Sequence, residues 1–176
     1  MGGAFTVGNN AVLVTALGAY DGSGSGLTVA TPVAIWTGDG HADGGTDPQL
    51  TLATVPTGTS ATLVNGFRYI TLGTPVTLLA NQTYTIGAYY SPSDTDKILN
   101  SGSTMTLNSD FTAVAAEYTG SNTLGGISEP NGATGLGFYI GPNFEFLVLP
   151  EPSSLLLLAA SGFGLILGRK LLRLQR

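Results

Sequence analysis

Gln82-Thr83-Tyr84-Thr85-Ile86-Gly87-Ala88 is the stretch on which the fold class turns. Successive side chains of a strand point to opposite faces, so Tyr84 and Ile86 share one face and Thr83, Thr85 and Gly87 the other. The same period recurs at 143–148, where Phe144, Phe146 and Val148 face one side and Glu145 and Leu147 the other. In 11–20, Leu13, Thr15, Leu17 and Ala19 alternate with Val12, Val14, Ala16 and Gly18, so both faces are fairly apolar, as in an inner strand. Residues 5–7 and 11–20 are expected to form an opening pair across Gly8-Asn9-Asn10.

Working outward, strands are expected at 27–36, 49–55, 60–63, 67–72, 82–90, 104–107 and 137–140, with 112–118 either a strand or a helical turn. The segment 21–26 (Asp-Gly-Ser-Gly-Ser-Gly) is too rich in Gly and Ser for regular structure. No segment before Pro150 carries a capped 3.6-residue stripe. Many short strands with frequent turn signals predict an all-β fold, a β-sandwich of jelly-roll-like type over 1–148. A different segment, 149–176, follows it.

Charge is sharply partitioned. Before Pro150 the bases are Arg68 and Lys97 against ten acids, a balance of −8, whereas the remainder carries four bases and Glu151, a balance of +3. A body this acidic does not suit nucleic acid, whose binding rests on neutralising phosphates with Lys and Arg. There is no Cys, hence no disulfide framework, thiolate metal site or Cys nucleophile. His41 is the single histidine, and no Gly-x-Ser-x-Gly elbow or His-Glu-x-x-His pair occurs. Ten acids leave paired carboxylates for glycoside cleavage formally open, but no spacing selects two of them. The expectation is a protein that is not an enzyme.

The loop Asp39-Gly40-His41-Ala42-Asp43-Gly44-Gly45-Thr46-Asp47 places Asp39, Asp43 and Asp47 at positions one, five and nine of a calcium-type loop, with Gly44 at six. His41 stands where an oxygen ligand belongs, and Leu50 where the bidentate Glu belongs. A solvated hairpin loop is therefore expected, with calcium as the alternative and no other cofactor. Asp94-Thr95-Asp96 reads as ordinary turn chemistry. Arg68, isolated among carboxylates, reads as half of an ion pair more readily than as a ligand for an anionic sugar. Trp36, Tyr69, Tyr89 and Tyr90 are candidates to stack on sugar rings, although aromatic residues in such folds usually pack inside.

The tail has its own grammar. Pro150-Glu151-Pro152-Ser153-Ser154 precedes the uncharged run from Leu155 to Gly168, and Arg169, Lys170, Arg173 and Arg176 follow. The run is shorter than the roughly 20 apolar residues of a comfortable span. Leu171 and Leu172 would extend it to a marginal membrane helix, with Arg169 and Lys170 snorkelling to the headgroups and the basic end cytoplasmic. Two prolines flanking Glu151 make a stiff, exposed spacer.

The order and terminal position of these parts resemble the PEP-CTERM sorting signal of Gram-negative bacteria, which is read by the membrane processing enzymes called exosortases. The resemblance implies export, membrane tethering through the tail and processing near Pro150-Glu151-Pro152, leaving the body on the cell surface or in the exopolysaccharide layer. An exported protein needs a signal peptide. Met1-Gly2-Gly3-Ala4 leads straight into a strand pattern, so a signal sequence encoded upstream is expected. The body, through Val14–Asp21, Val33–Trp36, Gly66–Ile70, Thr74–Leu78 and Tyr84–Ala88, is similar to DUF4082-like sandwich modules, which implies fold and no catalytic residue. Two functions follow: a non-catalytic surface or matrix protein, or a carbohydrate-binding module held by an uncleaved anchor.

Overall fold

A computed structural model describes residues 1–41, 44–91, 94–96, 98–100, 108–118, 127, 129–130, 132–134 and 138–150. These contain strands and no helix: β1 (Gly2–Val7), β2 (Val12–Tyr20), β3 (Thr31–Thr37), β4 (Gln49–Val55), β5 (Thr62–Val64), β6 (Phe67–Leu78), β7 (Thr83–Ala88), β8 (Ile98–Asn100), β9 (Phe111–Tyr118), β10 (Gly132–Thr134), β11 (Phe138–Ile140) and β12 (Pro142–Val148). The chain is all-β. Two antiparallel sheets carry the architecture, a six-stranded one in the order β10-β9-β1-β7-β3-β4 and a four-stranded one in the order β12-β2-β6-β5, with β8 and β11 paired separately.

The alternating residues of both sheets meet in one core. Phe5, Val7, Val33, Ile35, Tyr84 and Ile86 come from the larger sheet, and Val12, Val14, Leu17, Ala19, Leu72 and Leu78 from the smaller. Each fully buried aliphatic side chain contributes about 1.5–3 kcal/mol relative to exposure. An aromatic group closes one side of this core. Phe5 lies 5.4 Å from Phe144 and 5.6 Å from Phe111, and Phe111 lies 4.8 Å from Phe146, so rings of β1 and β9 interlock with those of β12 in the other sheet.

A bulge keeps β2 in phase with the core. Val14 pairs with Phe146 and Ala16 with Glu145, leaving Thr15 extra, and on its other side residues 72–75 of β6 loop out opposite the same point. The added residue lets Val14 and Leu17, three apart, both point inward. Pro75 sits in the looped-out part, where no ladder donor is needed.

Several expectations are corrected. Residues 5–7 and 11–20 do not form a hairpin: β1 pairs with β7 and β9, whereas β2 pairs with β6 and β12. Both segments have apolar faces to bury, and the core is served better when Gly8-Asn9-Asn10 carries the chain from one sheet to the other. Residues 27–30 precede the strand, Leu27 making an isolated bridge with Gly58. β6 continues to Leu78, and 112–118 is strand. The expected strand at 104–107 and the C-terminal helix lie outside the described residues.

Candidate functional site

The loop after β3 joins it to β4, and the two strands pair antiparallel, as the hairpin reading expected. Gly38 opens the loop at φ +78°, a left-handed conformation that favours glycine, and the Asp47 carboxylate lies where a side chain at Gly38 would stand. The Asp47 N–H donates to Glu129 Oε2 at 3.0 Å, fastening the loop to a buried carboxylate 82 residues away. His41 N–H donates to the Asp39 carbonyl at 2.7 Å. Asp43 lies outside the described residues, and among those described no three metal-capable side chains converge.

Trp36 lies on the outer face of the larger sheet, and Pro130 packs over Gly87 on that face. The Pro130 ring and Trp36 Cζ3 both press on Gly87, within 2.8 Å and 3.2 Å of the position a Cβ there would take. Trp36 is 4% exposed and Tyr90 8%, so neither presents a ring face to solvent; Tyr89 is half-buried. Burial pushes the Tyr90 hydroxyl well above the usual phenol range, with Asp94 and Asp96 adding to the shift. The structure does not gather Trp36, Tyr89 and Tyr90 into one surface.

Arg68 is the half of an ion pair that the sequence suggested. Its Nε donates to Asp21 Oδ2 at 2.7 Å, with both side chains almost fully buried. Nη1 donates to the Thr59 and Ala61 carbonyls, and Nη2 to that of Gly24. The guanidinium thus ties 21–26 and 59–61 to β6.

An aromatic row lies on the outer face of the smaller sheet, and only Tyr69 among its rings was anticipated. The register sets Tyr20 beside Phe67, and sets Asn143, Gly18, Tyr69 and Thr62 in the neighbouring row. Tyr20 and Phe67 have centroids 5.3 Å apart, edge to face, and Phe67 and Tyr69 are 6.4 Å apart. The Tyr69 ring lies down over Gly18: a Cβ at Gly18 would stand 2.6 Å from its Cε1 and 3.1 Å from its Cζ. The pKa of the Tyr69 hydroxyl is pushed up to about 12 by burial first and the Glu145 charge second, with Asn143 acting in the opposite direction. The alternation Phe67-Arg68-Tyr69, opposite Gly18 and Tyr20, is the signal that reveals this row once the pairing of β2 with β6 is known.

Pro150 is exposed at the end of β12. Glu151, Pro152, Arg169, Lys170, Arg173 and Arg176 lie outside the described residues. No family model, curated protein or solved structure matches this chain.

Proposed function

We propose that this is an exported, non-catalytic surface or exopolysaccharide-associated matrix protein, tethered through its tail and processed near Pro150-Glu151-Pro152 by an exosortase-type membrane enzyme. The body is a β-sandwich of jelly-roll type, held outside the membrane while the basic end stays cytoplasmic. The nested pairings β1 with β7, β2 with β6 and β3 with β4, wrapped across two sheets, support that fold assignment.

One observation carries the functional reading. The Leu149 N–H donates to the Ala11 carbonyl at 2.8 Å, extending the ladder one residue past β12, and the next residue is exposed Pro150. Proline has no N–H to continue the ladder. The Pro-Glu-Pro motif therefore begins at the margin of the folded body, where a processing enzyme would have access, and the apolar run begins five residues later.

The test is the intact mass of the native protein recovered from the surface or medium of the producing organism. Loss of the residues after the Pro150-Glu151-Pro152 region is the expected result. A complete tail on membrane-retained protein would overturn processing and leave a permanently tethered body.

A further inference from the structure

We infer that the outer face of the four-stranded sheet binds a neutral polysaccharide, with Tyr69, Phe67 and Tyr20 stacking on sugar rings and polar neighbours meeting the hydroxyls. This goes beyond the envelope role; of the four aromatic residues the sequence suggested for sugar stacking it keeps Tyr69, joins it to Phe67 and Tyr20, and leaves out Trp36, Tyr89 and Tyr90.

The two outer faces of the molecule are treated differently. On the larger sheet Ala34, Trp36 and Thr85 are buried, with Pro130 seated beside them. On the smaller sheet Tyr20, Phe67 and Tyr69 all retain partial exposure. Ala16 and Gly18 are small residues on this face of β2, and the Tyr69 ring lies flat over Gly18. A ring in that posture turns one face to the sheet and the other outward. Its close packing on Gly18 fixes the ring's orientation before any ligand arrives, which lowers the ordering cost of binding.

The chemistry around the rings selects the ligand. Thr62 and Thr71 are exposed on this face, beside Tyr69 and Ala16 respectively, and Asn143 and Glu145 line its β12 side. Flat apolar faces bordered by hydroxyl, amide and carboxylate groups match a pyranose, whose C–H face is apolar and whose rim is hydroxylated. Charge narrows the choice further. Glu145 stands on this face, and Arg68 points to the opposite side and is consumed by Asp21, so an anionic polymer would meet repulsion with no compensating cation from these strands.

Aromatic residues across from glycine also stabilise sheets simply by covering them. The experiment separates that role from binding. Full-length protein in detergent is run by affinity electrophoresis through gels containing β-glucan, xylan, mannan or anionic polygalacturonate. The variants are Tyr69→Ala and Tyr69→Leu, the second keeping apolar bulk over Gly18 without a flat ring, and thermal unfolding checks each fold.

Retardation by at least one neutral polymer is expected, weakened about tenfold in Tyr69→Leu while the protein stays folded. No retardation by any neutral polymer, equal retardation of Tyr69→Leu, or preference for polygalacturonate would each overturn the inference. Because the Tyr69 variants alter the body and leave the tail unchanged, failure here leaves the tail reading intact, and an uncleaved tail leaves this one intact.

Discussion

Arg68 and Asp21 are joined at 2.7 Å across 47 residues of sequence, both shielded from solvent, and the contact ties a glycine-rich loop to the four-stranded sheet. Asp21 is fully committed on its other sides. Its Oδ2 also accepts from the Gly26 N–H, and its Oδ1 from the Ser23 hydroxyl.

Removing one partner therefore strands the other. Arg68→Ala is expected to cost about 3–5 kcal/mol, a large share of the total stability of a domain this size. Arg68→Lys should recover only a minor part, because an ammonium cannot reproduce the fork that reaches Asp21, Thr59, Ala61 and Gly24 together. Urea unfolding of the two variants beside the native protein measures both; an unchanged midpoint for Arg68→Ala would contradict the assignment.

The same pair sets a response to acid. Burial raises the Asp21 carboxyl, but hydrogen bonds from Arg68, Gly26 and Ser23, with the Arg68 charge, outweigh it and hold the pKa below the ordinary 3.8. The unfolded chain then binds the proton more readily than the folded one. The stabilisation is complete above the unfolded value and is lost as pH falls through the lower folded value. Unfolding midpoints measured downward from pH 5 should fall more steeply for the native protein than for Asp21→Asn.

Alkaline conditions test the aromatic face. Tyr69 is raised from 10.0 to about 12, so above pH 10 the unfolded tyrosine loses its proton while the folded one keeps it. Stability should therefore decline from about pH 10 upward. Tyr90, shifted in the same direction by burial, adds to the decline. Unfolding midpoints measured upward from pH 9 should follow this decline, and Tyr69→Phe should make it shallower.

Gly26 stands at φ +107°, and a Cβ there would come within 2.7 Å of the Gly58 carbonyl carbon. Gly26→Ala should cost about 1–3 kcal/mol through backbone strain. It should also loosen the Leu27–Gly58 bridge, which native-state hydrogen exchange at the Leu27 and Gly58 amides would report.

Much of this architecture is legible in the order of residues. Period-two alternation identified β7 and assigned Phe144, Phe146 and Val148 to one face, and all three sit opposite core residues of β2. The hairpin around 39–47 followed from glycine and aspartate clustering between two apolar runs. Arg68 was read as an ion pair because few bases stand among so many acids. These are properties of neighbouring side chains, and local sequence carries them.

Other features required the folded chain. Alternation says which residues share a face, but not which strand lies alongside, so β1 and β2 looked like a hairpin until their separate sheets appeared. Which acid would meet Arg68 depended on the turn from β2 at Tyr20 returning beside β6. Trp36 and Tyr69 are both aromatic residues in strands; one is buried, with Pro130 nearby over Gly87, while the other stays partly exposed over Gly18. The sequence by itself determined the all-β class, the faces and the loops, because strand geometry couples residues two apart. Tertiary structure alone decided partners and exposure, because these depend on which distant segments close over which face.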